Sequence, residues 1–304
     1  MMPPRDDPDA PAGRVEVLEP GVRRIVAPNP SPMTFKGTNS YLLGATEIAV
    51  IDPGPLDQDH LAALLDALTP DQRITHIVVS HAHLDHSPLA TALQKECGAP
   101  IYGFGPAGKG RSAVMQRLAE SGLVGGGEGI DAAFSPDHEL EDGALLKGPD
   151  WQLRALHTPG HIGNHICLAW DDICFTADHV MGWASSLVSP PDGDLTDFMA
   201  SCRRLQKTEW RRFFPGHGDP VDNPKARLNW LVAHRRSRER AILAALESGP
   251  ADAQSLARAI YGDTPAGLMA AASRNVLAHL IDLVGKNKVA PKAPLRADTR
   301  FYLA

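Results

Sequence analysis

Ser80-His81-Ala82-His83-Leu84-Asp85-His86-Ser87 is the stretch on which the reading of this chain turns. Four side chains of the kind that ligate metals fall within six residues. So many imidazoles and carboxylates are costly to take out of water unless something pairs with them. Neutral imidazole and carboxylate are borderline donors that suit Zn²⁺ or iron. One loop cannot turn all four toward a single tetrahedral ion. His81 and His83 can share one ion, while Asp85 and His86 turn toward a second. A single His-x-His would more often be a polar surface loop; this density argues against that reading. The preceding run, ITHIVVS (Ile74–Ser80), is rich in β-branched residues and reads as a buried strand. A helix over about Pro88–Cys97, closed by Gly98, follows it.

Working outward, three later segments offer further donors. Thr158-Pro159-Gly160-His161 follows the strand WQLRALH, and its Pro-Gly turn aims His161 back toward the loop. Asp178, in Phe175-Thr176-Ala177-Asp178-His179, ends the strand ICFTAD, and its two oxygens could bridge two ions. His217, in Phe214-Pro215-Gly216-His217-Gly218, ends another strand in a Pro-Gly turn. Each is a strand-end residue displayed on a loop, where sites in layered folds usually sit. Short strands (VRRIVAP, NSYLLG, EIAVID, IYGF, HICLAW) alternate with the helical runs LDQDHLAALLDALTP and DLTDFMASCRRLQK, which predicts α/β layering. Residues 104–130 hold one short helical stretch and are otherwise unassigned.

After Asp219 the character changes. Asn223 caps and Pro224 opens a long helix to about Glu247, ended by Gly249-Pro250. Asp252 caps SLARAIYG, AGLMAAASRNVLAHLIDLVG forms a third helix, and KNKVAPKAPLRADTRFYLA reads as a two-stranded hairpin. Three helices and a hairpin match a winged helix-turn-helix. The expected division is a loose tail at 1–13, a metal-bearing domain at 14–223, and the long helix with the winged-helix domain at 224–304. Residues 231–304 hold 11 Lys and Arg against 6 Asp and Glu. The whole chain, 304 residues with a net charge of −6, is not a uniformly basic nucleic-acid binder. No apolar run approaches the roughly 20 residues that cross a bilayer, and the N-terminus has no apolar signal core. A cytoplasmic location without membrane contact is therefore expected. Cys97, Cys167, Cys174 and Cys202 lack C-x-x-C spacing and read as reduced thiols.

With these motifs in order, the chain resembles the metallo-β-lactamase fold superfamily over its whole length. Within it, the chain is most similar to the β-lactamase-like protein 2 group, through Asn29-Pro30-Ser31-Pro32-Met33-Thr34, Gly37-Thr38-Asn39-Ser40-Tyr41-Leu42 and His234-Arg235-Arg236-Ser237-Arg238-Glu239. The resemblance implies an αββα sandwich followed by a small winged-helix domain. It also implies two divalent metal ions per chain: His81, His83 and His161 on the first, Asp85, His86 and His217 on the second, Asp178 bridging. Zn²⁺ is expected, with iron or manganese as the alternatives the donors also accept. Ala177 departs from the glycine that many relatives place before the bridging aspartate. His83 stands where redox di-iron relatives carry glutamate.

Two ions about 3.5–4 Å apart hold one water and bring its pKa from 15.7 toward about 7, so a bridging hydroxide serves as nucleophile. Asp85 is the candidate to orient it and shuttle its proton. The expected reaction is hydrolysis of an ester-like bond. Single-stranded RNA is one candidate substrate, and a thioester or lactone of a small metabolite the alternative. β-Lactam hydrolysis is disfavoured without an export signal. A reading of another class, a winged-helix regulator of nucleic acid, would have to read bases with Arg274, Asn275 and His279. A homodimer is left open. Asn39, Asp52, His165 and His179 are expected around the ligands, as braces or substrate contacts. His157 is a further bracing candidate, and Thr38, Trp183, Ser185 and Ser186 are pocket candidates. Asp52 in IDPG either braces the ligand loop or merely caps a turn. His60, His76, His138, His234 and His279 are expected to be solvated or locally bonded.

Overall fold

The computed structural model describes residues 12–126, 129–262 and 265–304. The tail expected at 1–13 lies outside them but for its last two residues. The first half of the chain supplies β1 (Glu16–Glu19), β2 (Val22–Val26), β3 (Asn39–Leu43), β4 (Glu47–Ile51), α1 (Gln58–Asp66), β5 (Arg73–Val78), α2 (Leu89–Cys97), β6 (Ile101–Gly103), α3 (Ala113–Glu120) and β7 (His138–Glu139). Then come β8 (Leu145–Lys147), β9 (Gln152–His157), β10 (Ile166–Trp170), β11 (Ile173–Ala177), α4 (Leu195–Leu205) and β12 (Arg212–Pro215). The C-terminal part holds α5 (Pro224–Leu246), β13 (Ala251–Asp252), α6 (Ala253–Ile260), α7 (Met269–Gly285), β14 (Val289–Pro291) and β15 (Arg300–Leu303).

Strands β1 to β7 form one sheet in chain order, and β12-β11-β10-β9-β8 form a second. The period-two pattern of each strand decides which layer it fills. Leu42, Ile48 and Val50 face α1 and α2, packing with Leu61, Leu64, Leu89 and Leu93. Their neighbours Tyr41, Leu43, Ala49 and Ile51 face the other way and meet Leu153, Ile166, Leu168, Ile173, Phe175 and Phe214 of the second sheet. On that sheet's far side, Cys167, Cys174 and Phe213 pack against Phe198 and Cys202 of α4. The result is the αββα sandwich that the resemblance implies. Each buried Leu, Ile, Val or Phe among these contributes about 1.5–3 kcal/mol relative to exposure.

Strand direction places the site. β4 and β5 run parallel, as do β11 and β12. Their C-terminal ends therefore open on one rim, carrying Asp52, Ser80–His86, Asp178 and Gly216–His217. Gly98, in left-handed backbone at φ 73, stops α2 where the sequence places the stop.

Asn223 and Asp252 cap α5 and α6 through their side chains, accepting from Ala226 N and Ser255 N. The C-terminal sheet has three strands rather than two, in the order β13-β15-β14. Helix α3, the short helix within 104–130, sends Met115 and Leu118 into the core of this C-terminal module. The first half of α5 packs with α4 through Leu228, Leu231 and Val232, and the second half joins the module through Ile242 and Leu246. The two parts therefore share α5. All four cysteines are free. Among the described residues, no helix is long and apolar enough to cross a membrane.

Candidate metal centre

Two groups of donors meet at the rim: His81, His83, His161 and Asp178 in one, and Asp85, His86, His217 and Asp178 in the other. In the first, His83 Nδ1 lies 3.0 Å from both His81 Nε2 and His161 Nε2. In the second, His217 Nε2 lies 3.4 Å from His86 Nε2 and 3.2 Å from Asp85 Oδ2. Asp178 offers one oxygen to each: Oδ2 is 3.5 Å from His161 Nε2, and Oδ1 is 3.3 Å from His217 Nε2. The seven residues that the sequence singles out as ligands are thus together, across 137 positions of chain from His81 to His217.

The hydrogen bonds behind the rings fix which way their lone pairs point. His161 Nδ1 faces the Leu187 carbonyl at 2.7 Å and His217 Nδ1 the Gly37 carbonyl at 3.1 Å. A carbonyl only accepts, so each Nδ1 carries the proton and each neutral ring aims a lone pair inward. Ser80 Oγ donates to Asp52 Oδ2 at 2.7 Å and so accepts from His81 Nδ1 at 2.8 Å, which fixes His81 the same way. His86 Nδ1 donates to Asp52 Oδ2 at 2.9 Å. In the first group, lone pairs converging at these separations repel unless a cation lies among them; in the second, a cation or protons on His86 and His217 must lie among the imidazoles and carboxylates. Bonds of about 2.0–2.2 Å in a tetrahedron set ligand atoms about 3.4 Å apart, close to the spacings of the second group. Asp85 Oδ1 and Asp178 Oδ1 are buried without hydrogen-bond partners. A Cβ at Gly216 would stand 2.4 Å from Asp178 Oδ1 and 2.8 Å from His86 Cε1, so only glycine leaves the cradle open. The donor set fits a pair of divalent cations.

Electrostatics separates the two groups. Burial pushes His81 well below the ordinary imidazole value, His83 down to about 3, and lowers His161. Burial also opposes charge on His86 and His217, but Asp85 and Asp178 override it. His86 is raised well above the ordinary value and His217 up to about 10. Burial would raise the Asp85 carboxyl, yet the facing His86 and His217 bring it down to about 2, and hold Asp178 well below its ordinary value. Without cations, protons on two imidazoles balance two carboxylates.

The surrounding residues fall into distinct roles. Asp52 braces rather than merely caps: its carboxylate accepts from Ser80 N, Ser80 Oγ and His86 Nδ1. Asn39 is buried and donates to Pro215 O at 2.9 Å and Gly218 O at 2.8 Å, clamping the loop that carries His217. Thr38 bridges His217 in the same way through backbone. The His165 ring lies tilted 5.1 Å from the His81 ring, with Nδ1 at 3.0 Å from Thr158 Oγ1. His179 turns away from the rim onto Phe198 and Cys202 Sγ. His157 is tied to Gly163 O at 2.9 Å, behind the His161 turn. Ser186 turns inward, its hydroxyl donating to the Asp178 and His179 carbonyls. Trp183 packs over Gly218 and stacks on Phe35 at 5.0 Å.

Of the histidines expected to be solvated or locally bonded, His60 and His279 are both 1% exposed; His60 is bonded, whereas neither ring nitrogen of His279 has a hydrogen-bond partner. His60 is drawn inside because Ser40 Oγ, itself bonded to Asp52 O, meets its Nε2 at 2.8 Å. His279 lies on the inner face of α7. The supporting roles of Ser40, His60 and Ser80 were missed. Only the position of Ser80, directly before the ligand run, signals one. Ala177 sits at φ 40, in left-handed backbone, which is the physical reason glycine suits this position. The three candidate base readers of α7 are engaged within the protein or buried. Arg274 donates to Ser189 Oγ and to the Val124 and Pro190 carbonyls, and Asn275 Oδ1 accepts from Val188 N and Arg235.

Residues 33–217 match the family described as Metallo-beta-lactamase superfamily, and residues 253–293 match the Beta-lactamase associated winged helix domain. The chain is 30% identical over 299 residues to the Beta-lactamase-like protein 2 homolog of Drosophila melanogaster, covering 94% of each. It is 29% identical to the Atrochrysone carboxyl ACP thioesterase of Aspergillus fumigatus, over 86% of this chain and 79% of that protein. A solved metallo-beta-lactamase family protein from Thermus thermophilus superposes with a TM-score of 0.73 at 25% identity, covering 95% of this chain and 100% of that one. A beta-lactamase domain protein from Burkholderia ambifaria, 21% identical, shares the fold with a TM-score of 0.81 over 99% of this chain and 96% of that one.

Proposed function

The chain belongs to the metallo-beta-lactamase superfamily of hydrolases, and on that premise we propose that it is a binuclear metal-dependent hydrolase of ester-type bonds, acting on an acyl thioester. The observation that carries this reading is the sharing of Asp178 between two donor groups, one carboxylate oxygen to each. His81, His83 and His161 would hold one ion, Asp85, His86 and His217 the other, with Asp178 between them; Zn²⁺ is the ion we assign, with iron or manganese as the alternatives. Two such ions, when bound, bring the pKa of water toward neutrality and polarise the bond to be cleaved.

The chain's own residues supply the rest. Asp85 turns Oδ2 to His217 and keeps Oδ1 without a hydrogen-bond partner. That oxygen is the proton acceptor we assign. The carbonyls of Leu187 and Gly37 and the Asp52 carboxylate keep the imidazoles oriented through the reaction. Leu84, between two ligand positions yet 46% exposed, gives the rim an apolar surface for an acyl chain.

The thioester assignment draws on the relative named as a thioesterase. An RNA substrate is less well supported, because a strand-tracking site needs a basic groove with stacking aromatics. Here Arg235 and Arg274 of the basic C-terminal part are turned inward. The test is a panel assay of the zinc-reconstituted full chain against an acyl thioester, a lactone, a β-lactam and single-stranded RNA. Thioester hydrolysis should lead the panel and fall more than about 100-fold in His83→Ala. RNA cleavage that leads the panel and vanishes in the same variant would move the assignment to a phosphodiester. Absence of any hydrolysis would overturn the reading.

A further inference from the structure

We propose that the cleft between α4, α5 and α7 is a second ligand site, separate from the metal centre, that binds a phosphate-type oxyanion. It is a cavity of about 400 Å³, and Arg203, Arg235, Arg236, Arg240, His279 and Lys286 line it. The volume falls within the range of small-molecule sites, so it admits a phosphate together with part of the molecule that carries it.

Arg235 is the anchor. It is 2% exposed. One terminal nitrogen donates to Asn275 Oδ1 at 2.9 Å, the other donates to the Ser186 carbonyl, and the guanidinium lies 5.0 Å from the Phe198 ring centroid. No carboxylate pairs with it among the described residues, and its Nε has no hydrogen-bond acceptor. A buried guanidinium without a counter-charge is costly, and its planar fork of donors matches the oxygens of a phosphate. His279, 1% exposed, faces the same cavity with neither ring nitrogen bonded. Two deeply buried polar side chains with unused hydrogen-bonding atoms thus line one void.

The cleft also contains acids, and their charge is already matched. Asp282 accepts from Thr196 Oγ1 at 2.7 Å and pairs with Lys286 at 2.6 Å. Glu239 pairs with Lys286 at 3.1 Å and Lys288 at 2.7 Å. Arg203, Arg236 and Arg240 form no ion pair among the described residues. The remaining charge of the cavity is positive, which selects an anion over a cation. Arg235 donates to Ser186 O, and Ser186 Oγ donates to the Asp178 carbonyl, so an occupant that engages Arg235 also steadies the loop behind the metal centre.

The test titrates inorganic phosphate into the full chain. A chelator first removes divalent ions, so that the metal centre offers phosphate no cation. Calorimetry should show saturable one-to-one binding, with a rise in Tm. The rim double variant Arg236→Glu/Arg240→Glu should weaken binding by at least about tenfold while leaving the ligand-free Tm unchanged. His83→Ala, at the metal centre, should bind phosphate as the unaltered chain does. Selenate soaked into crystals should give anomalous density between Arg235 and His279. Adenosine 5′-monophosphate and 4′-phosphopantetheine distinguish the source of the oxyanion: tighter binding than phosphate assigns an organic phosphate, and equal binding a free one. No saturable binding up to about 10 mM, or full affinity in the rim variant, would overturn the proposal. So would loss of phosphate binding in His83→Ala.

Discussion

Asp52 shows how finely the metal centre depends on a residue that holds no metal. Its carboxylate reaches 28 positions along the chain to take Ser80 N at 2.7 Å, and it steadies His86 Nδ1 at 2.9 Å. It does so from left-handed backbone at φ 51. An amide in its place keeps the volume but loses the negative charge behind the imidazole. Asp52→Asn should therefore weaken metal binding by about 10–100-fold, and cost about 1–3 kcal/mol of stability from the disturbed buried hydrogen bonds. A chelator-competition titration, read beside denaturant unfolding, measures both. An unchanged metal affinity would reduce Asp52 to the turn cap that its sequence, IDPG, also allows. The sequence holds both readings because the partner that decides between them is remote in the chain. The ligands themselves were legible, since imidazoles at this density next to a strand have few other uses. Asn39 was legible only as a polar residue near the site, because its partners are backbone carbonyls of the His217 loop.

Elements carry their own test, in a pair of glycines. Gly98 ends α2 in left-handed backbone, and a Cβ there would meet nothing within 4 Å. Gly98→Ala should cost only the conformational term, about 1–2 kcal/mol. Gly160 is also left-handed, but a Cβ there would lie 2.3 Å from Phe198 Cα and 2.4 Å from Phe198 N. Backbone cannot give way as a side-chain end can, so α4 must shift from the turn that carries His161. Gly160→Ala should cost more than about 3 kcal/mol and reduce the metal content. Equal unfolding midpoints for the two variants would refute the close packing of α4 on this turn. The same contrast explains which elements the sequence disclosed. Helices α2, α5 and α6 announce themselves through local caps, Gly98, Asn223 and Asp252. Strand β13 is two residues whose partner, β15, lies about 50 positions on, and nothing local marks it. Helix α3 was uncertain for a similar reason: Met115 and Leu118 find their core in another part of the chain.

At the scale of the whole molecule, two sheets must close before the seven donors meet, and the charge they enclose couples folding, protons and metal. His217 is held up to about 10 and His86 well above its ordinary value, whereas His81, His83 and His161 are held below theirs. At pH 8 His217 is protonated in the metal-free chain, whereas burial keeps His81, His83 and His161 neutral. Two divalent ions, which take only lone pairs, should therefore release about one proton from His217 on binding, plus whatever fraction His86 carries. Calorimetry in buffers of differing ionisation enthalpy reads that number directly. The sign for stability follows. A raised imidazole pKa stabilises the metal-free fold fully below about 6.5, its unfolded value, and that contribution is lost as pH rises through about 10. The metal-loaded chain has no such protons to lose. The Tm difference between loaded and metal-free protein should widen from pH 6.5 toward 9.5, at saturating metal. A difference that narrows over this window, or proton uptake on metal binding, would mean that the carboxylates do not face His86 and His217 as described.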